Sequence, residues 1–505
     1  MTDKDSLQLF ECNAEQNQAI QYAGNILLVI AGPGTGKTFT LVERLLSFSR
    51  RLKPRQHILA ITFSNKAAQE MKERVSRRWP EYTANAFIGT FHAWCVNLLK
   101  EFSARTDLPA DFEVRTPEEI GFYLEEVWPR EKKKEIKELC ENVASWKAVH
   151  WQDAEPIWVQ EYNQCLRARG MIDFDDLLRE AVRLLRQHPD VLKTVRARYP
   201  FVFIDEYQDI NGVQHALLQL LVHGPTCLTA IGDPNQAIYG FRGANVEYFQ
   251  QFVSDFPQAR VINLKRNYRS ADAIIEASGQ VVASSQFDVP ELVAQIYRKG
   301  SLVVHQASTE RAEAEYVVHQ IEKILGGTSH FSRDSQRVDH CAEASDISFS
   351  DIAVIYRLNL QRKSLEEALA RSGMPYHILG AQSHYILDGF DHAVEKIRLM
   401  TMHASKGLEF KVVFIVGCEE NLIPLHVEGL QCDHEEERRL FYVAMTRAQD
   451  RLYFTASAKR VLYGRFYQNQ ISPFLRTIDE RLKKRDQPQR PNRRRSQTSQ
   501  LDLFQ

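Results

Sequence analysis

Four short strand-like runs punctuate the chain: Ile26 to Ile30, Ile58 to Phe63, Phe201 to Ile204 and Cys227 to Gly232. Runs of four to six residues with little polar alternation are the mark of parallel strands buried on both faces, because a solvated face would make every second residue polar. Polar residues follow each run, and helical spacing begins at Thr38. The pattern predicts an α/β fold with a doubly wound parallel sheet. The stretch from about Cys95 to Gly170 is mostly helical in pattern, whereas Arg481 to Arg495 is rich in Lys, Arg, Gln and Pro and reads as a disordered linker.

The first run leads into Ala31-Gly32-Pro33-Gly34-Thr35-Gly36-Lys37-Thr38, which therefore falls on a strand-to-helix turn. That context makes it a P-loop. Its glycines let backbone N–H groups wrap phosphates, Lys37 reaches the β and γ phosphates, and the Thr38 hydroxyl can ligate magnesium. Ala31 stands where the strict pattern has glycine. Asp205 and Glu206 follow the third run, at the strand end where open α/β sheets place ligands. One carboxylate suits magnesium and the other suits activation of water. Alone, this acidic pair would read as a solvated loop; beside a P-loop it reads as half of an ATP-hydrolysing site.

Composition narrows the setting more than the chemistry. With 505 residues, 44% of them apolar, no apolar run near membrane-spanning length and no signal-like amino terminus, the expectation is a soluble intracellular chain of about three or four domains and no membrane partner. Lys and Arg (64) nearly balance Asp and Glu (65), so net charge gives no argument for nucleic acid, and a basic groove would have to be local. The eight cysteines contain no C-x-x-C, which fits reduced thiols in a cytosol. His426, Cys432 and His434 are close in sequence but are read against a metal site. All six tryptophans fall between Trp79 and Trp158 and are read as packing.

Further blocks accompany the site: Asn13-Ala14-Glu15-Gln16, Thr62 to Ala68, Gly89-Thr90-Phe91-His92, Asp173 to Leu178, Asp205 to Asp209, Gly232 to Gly243, Asn267-Tyr268-Arg269-Ser270, Thr401 to Phe410 and Glu436 to Ala448. With the P-loop, in this order, they resemble the UvrD/Rep group of superfamily 1 DNA helicases over most of the chain. The resemblance implies two RecA-like domains with ATP between them and single-stranded DNA across their top: 1A from 1–94 and 171–264, and 2A from 265–475. A helical insertion, 1B, takes 95–170. The usual 2B domain has only 381–400 in its place, too few residues for an independent core. A polar insert occupies 326–349, read as a solvated loop, and 476–505 form a disordered basic tail.

By the same resemblance, Thr38 and Asp205 hold Mg2+, Glu206 is the catalytic base, Lys37 clamps phosphate, and Gln236 senses the γ phosphate. Arg269 and Arg447 match arginine fingers that come from the domain opposite the P-loop. Gln16 reads adenine, Gly34, Thr35 and Gly36 cradle phosphate, Tyr268 stacks on the base, and Glu409 meets the ribose; Phe39 stands where many relatives have arginine. Phe63, Tyr239, Phe241, Arg242, Arg357, Asn359 and His403 occupy DNA-contact positions, with Phe241 in place of the usual tryptophan. Such residues suit sequence-independent binding, in which basic groups meet phosphates and aromatic faces meet bases.

The implied activity is an ATP-dependent single-stranded DNA translocase or helicase, 3′ to 5′, in repair or replication, acting on single strands and forked or tailed duplex in the nucleoid. Loss of 2B leaves the motor intact and puts duplex separation in question. A factor whose ATP cycle only switches its grip on DNA or displaces bound proteins is the alternative, and an RNA-directed motor a third. No nuclease constellation is visible. Gln500, Leu501, Leu503 and Phe504, in Gln-Leu-Asp-Leu-Phe, resemble the peptide that binds the bacterial sliding clamp; Leu7-Gln8-Leu9-Phe10 is a poorer echo read as packing.

Overall fold

The computed structural model describes residues 12–80, 85–129, 131–285, 287, 291–296, 300–326, 347–379, 395–426, 432–462 and 464–486. It divides into two compact units, one drawn from Met1–Arg298 and Asp433–Thr446, the other from Lys299–Cys432 and Arg447–Gln505.

In the first unit the four runs become β1 (Ile26–Ala31), β2 (Ile58–Ile61), β6 (Phe201–Ile204) and β7 (Cys227–Gly232), joined by β3 (Ala86–Gly89) and β8 (Arg260–Leu264). The short strands β4 (Glu113–Val114) and β5 (Met171–Ile172) pair apart from them. The sheet order is β3-β2-β6-β7-β1-β8, with every neighbouring pair parallel. Leu28, Leu59, Ile61, Val202 and Ile204 enter the core on one face, while Leu27, Val29, Ile58, Phe203 and Ile231 enter the core on the other. Both faces are covered, hence the unbroken apolar runs; each fully buried Leu, Ile or Val contributes about 1.5–3 kcal/mol. Because the strands are parallel, all the motif loops that follow them emerge at one carboxyl edge.

Helices Pro117–Val127, Lys133–Val149 and Ile157–Arg167 carry a small core of their own, including Ile120, Leu124, Ile136, Val143, Tyr162 and Leu166. The first is opened by Thr116, which with Glu119 forms a capping box ahead of Pro117. The expected start of this insertion at Cys95 is corrected. Helix Phe91–Glu101 is continuous from its Thr90 cap and buries Trp94, Cys95, Leu98 and Leu99 in the core of the sheet, so the insertion begins beyond Glu101. A buried cation ties it back: Nζ of Lys147 lies 2.6 Å from Asp173, 2.8 Å from Asp176 and 2.7 Å from Oδ1 of Asn163.

The first unit also takes in β9 (Arg266–Asn267), parallel to β10 (Val293–Ala294), and helix His434–Met445. The family resemblance places these segments in the second RecA-like domain, 265–475; here they belong to the first unit.

The second unit contains β11 (Ser301–Ala307), β12 (Ile352–Tyr356), β13 (Tyr376–Ile378), β14 (Ile397–Thr401), β15 (Phe410–Ile415), β16 (Ala448–Ser457), the hairpin β17 (Lys459–Leu462) and β18 (Arg465–Gln468), and β19 (Lys483–Arg485). Its sheet runs β13-β14-β12-β15-β16-β11-β19, again parallel throughout. Three expected boundaries shift. Residues 397–400 of the 2B vestige are part of β14, an interior strand, and 380–394 lie outside the described residues. Phe349 and Ile347 of the polar insert pack against the apolar core, and 327–346 lie outside the described residues. The tail does not begin at 476: β19 adds to the sheet edge, and the N–H of Asp486 donates to the carbonyl of Val304 (3.0 Å). Gln500, Leu501, Leu503 and Phe504 lie outside the described residues, as do residues 7–10.

Candidate nucleotide and nucleic-acid site

At the carboxyl end of β1 the chain turns through Gly34 and Gly36, both at positive φ (68° and 84°), into helix Lys37–Ser49. Gly36 caps that helix without a side chain, so its amino-terminal N–H groups are left to face an anion. Gly34 is demanded twice over: besides its φ, a Cβ there would lie 2.6 Å from Cβ of Arg269 and 2.7 Å from Nδ2 of Asn267.

Neighbouring segments hold the loop through its carbonyls. Nε2 of Gln16 donates to Thr35 (3.0 Å), Nδ2 of Asn267 to Pro33 (2.6 Å), and the Tyr268 N–H to Gly34 (2.8 Å). Gln16 is fixed by a reciprocal capping box with Asn13, whose Nδ2 donates to the Tyr268 hydroxyl at 2.9 Å. The structure thus brings Gln16, Gly34, Thr35, Gly36, Lys37, Thr38, Tyr268 and Arg269 together in one unit. Arg269 was expected from the domain opposite the P-loop, but it belongs to the same unit, held there by the Asn267 and Tyr268 hydrogen bonds.

Asp205 and Glu206 follow β6. Nζ of Lys37 lies 3.7 Å from Oε2 of Glu206. Burial pushes the Asp205 carboxyl up to about 7, with Glu206 adding to the shift and Lys37 opposing it. Glu206 has φ +52° and ψ 47°, left-handed backbone at a residue with a side chain, which costs about 1–3 kcal/mol and clusters at functional sites. A buried relay leads away from it: Nε2 of Gln208 donates to Glu206, Oε1 of Gln208 accepts from the Asp233 N–H (3.0 Å), and Oδ2 of Asp233 accepts from Nε2 of Gln236 (2.7 Å). Gln208, Asp233, Asn267 and Asn13 carry no individual role that the sequence alone assigns. For Gln208 and Asp233 the available signal was a polar residue after a buried strand end, where an unpaired group would be costly; for Asn13 it was the Asn-x-x-Gln capping-box spacing.

Phe63 and Tyr239 stack on each other with centroids 4.8 Å apart and planes 13° from parallel, while Phe241 is tilted 56° to Tyr239 at 6.1 Å. The Arg242 guanidinium sits 5.7 Å and 5.5 Å from the Tyr239 and Phe241 ring centroids. Phe241 (65% exposed) and Phe63 (40%) supply the open aromatic surface. These four residues line a cleft of about 780 Å³ that also takes in Asp205, Glu206 and, from the insertion, Ala148 and Val149. His92 lines it as well, its pKa lowered to about 4 by burial.

In the second unit, Arg357 and Asn359 follow β12 and His403 follows β14, all at the sheet's carboxyl edge. Glu409 and Arg447 instead precede β15 and β16 at the opposite edge, a strand length of about 17 Å away. There the Phe410 N–H donates to the Arg447 carbonyl (2.9 Å), Nη1 of Arg447 donates to the Leu408 carbonyl (3.1 Å), and Nε2 of Gln449 donates to Glu409 (3.4 Å). The residues expected at DNA and those expected at nucleotide thus occupy different edges of this sheet.

Residues 12–257 match the UvrD/REP helicase N-terminal domain, and residues 262–386 and 383–459 match the UvrD-like helicase C-terminal domain in two segments. The ATP-dependent DNA helicase PcrA of Staphylococcus aureus is 26% identical over 651 aligned positions, covering 93% of this chain and 86% of the relative. PcrA of Staphylococcus epidermidis is 27% identical with the same coverage. The C-terminal domain of a possible DNA helicase from Lactobacillus plantarum WCFS1 covers 43% of this chain and 98% of its own, at 18% identity and a TM-score of 0.26, too slight a likeness to bear on the fold. Parallel sheets, a P-loop and these matches define an ATP-dependent DNA helicase class. Within it, the chain belongs to the UvrD/Rep helicase family. The 651 positions exceed the chain's 505 residues, so at least that difference in the relatives has no counterpart here. Among the described residues, no helix is long and apolar enough to cross a membrane.

Proposed function

We propose that this protein is an ATP-driven translocase on single-stranded DNA, moving 3′ to 5′ in repair or replication, that separates long duplex only with a partner or at a fork. The observation that carries the reading is the single cleft in which Asp205 and Glu206 share a wall with Phe63, Tyr239, Phe241 and Arg242. Hydrolysis and base stacking are thereby adjacent, and the Gln208–Asp233 relay runs from Glu206 to Gln236, three residues before Tyr239.

The donor set fits Mg2+. Thr38 offers a hydroxyl, Asp205 a buried carboxylate, and a nucleotide's phosphates would complete a hard oxygen shell. Once bound, the ion would offset charge on the transferring phosphoryl group. Lys37 and the open helix terminus orient the γ phosphate, Glu206 takes the proton from the attacking water, and Gln236 senses the phosphate. Gln16 and Tyr268 hold the base and Glu409 the ribose, with Arg269 and Arg447 as the cationic clamps. Arg357, Asn359 and His403 extend the DNA track on the second unit.

The break in the C-terminal match at 383–386, together with the relatives' surplus of aligned positions, supports loss of 2B and hence weak intrinsic unwinding. The residues from Gln500 to Phe504 support delivery by a sliding clamp, with binding of about −8 kcal/mol at micromolar affinity.

ATPase assays on the purified chain test the core of this proposal. Single-stranded DNA is expected to stimulate turnover many-fold, with Lys37→Ala and Glu206→Gln each lowering it about 10²–10³-fold. DNA-independent turnover, or full activity in Glu206→Gln, would overturn it.

A further inference from the structure

The loop that carries the aromatic group, residues 237–243, is held at two points by one helix of the same unit. Nε of Arg439 donates to the Ala237 carbonyl at 2.7 Å from a buried position, and Oε1 of Glu436 accepts from the Gly240 N–H at 3.2 Å. Glu436 and Arg439 are three residues apart on helix His434–Met445 and so lie on one face, reaching the two ends of the segment that contains Tyr239. The fit at Gly240 is close: a Cβ there would come within 2.3 Å of Oε2 of Glu436, so the carboxylate fills the space a side chain would take. Arg438 anchors the same helix by donating to the Val281 carbonyl at 3.2 Å.

We infer that Glu436 is a positioning residue that fixes the base-stacking loop through the Gly240 N–H, so that the helix leading into Arg447 also sets how Tyr239, Phe241 and Arg242 present themselves to DNA. The inference rests on the reading of that loop as a DNA contact. Its chemistry is a charge-assisted hydrogen bond to an otherwise exposed loop amide, an interaction strong enough to select one loop geometry. Glutamine keeps an acceptor oxygen at the same reach; alanine does not.

The test measures ATPase of the full chain against oligo(dT) concentration for wild type, Glu436→Ala, Glu436→Gln and Gly240→Ala, with thermal denaturation alongside. The expected result is that Glu436→Ala raises the oligo(dT) concentration for half-maximal stimulation about tenfold, as loss of one charge-assisted hydrogen bond would, with basal turnover and melting temperature unchanged. Glu436→Gln should recover most of the wild-type value, and Gly240→Ala, which displaces the carboxylate, should reproduce the Glu436→Ala defect in DNA response. Equal DNA response in Glu436→Ala and wild type would overturn the inference, as would a fall in basal turnover or melting temperature that glutamine fails to rescue. Wild-type turnover indifferent to oligo(dT) would instead sink the DNA reading beneath it.

Discussion

Asp205 is buried at the end of β6 with its carboxyl pushed up to about 7 from the ordinary 3.8, burial being the largest cause. Between those values the folded chain holds a proton that the unfolded chain has shed, so this group favours folding as pH falls through 7 and burdens the folded state above it. Asn carries no such charge. Asp205→Asn is therefore expected to raise the melting temperature of the nucleotide- and metal-free protein at pH 8, and to raise it less at pH 5.5; a larger gain at pH 5.5 would contradict the assignment of burial as the cause. At this scale the P-loop was legible because phosphate binding dictates glycine at Gly34 and Gly36, lysine at 37 and a hydroxyl at 38. The Gln208–Asp233 relay was not, because a polar residue's partner across the sheet leaves no trace in local spacing. Nor did spacing reveal that Asn267 holds Arg269 beside the P-loop.

Helix Lys133–Val149 shows how one element of the insertion is fastened to the sheet layer. Lys147 is buried between Asp173 and Asp176, and its removal would leave both carboxylates without their cation. Breaking such a buried pair costs about 3–5 kcal/mol. Lys147→Met should lose stability of that order in urea denaturation at pH 8. The loss should shrink at pH 5, because burial already raises Asp176 to about 6, so its protonation relieves part of the unpaired charge. A loss independent of pH would mean that packing of the lysine stem dominates. The helical character of this region could be read from its apolar spacing, but not where the insertion starts: the stripe Trp94, Cys95, Leu98 and Leu99 shows that a face is buried without saying in which core. Likewise, the Ile397 to Met400 segment, interrupted by Arg398, was short enough to pass for part of a vestige and proves to be a strand between β13 and β12.

Across the whole molecule, short apolar runs anticipate one parallel sheet and the family resemblance implies a second, and both are present. What the runs could not convey was membership: helix His434–Met445 follows the first unit although its sequence neighbours on both sides follow the second, and the β9–β10 pair stays with the first unit up to Arg298. If the tail is a tether, removing residues from Gln500 onward should leave DNA-stimulated ATPase unchanged and abolish any stimulation of unwinding by a sliding clamp; clamp stimulation that survives the truncation would remove the tail from the account.

A single-strand motor with little unwinding of its own can be distinguished by stopped-flow translocation on oligo(dT) of increasing length labelled at either end, paired with unwinding of a long 3′-tailed duplex by the same protein alone. The expected result is a delay at the 5′ label that grows in proportion to length, no such delay at the 3′ label, and little duplex product. Length-independent kinetics at both ends, or processive unwinding of the duplex without a partner, would contradict it.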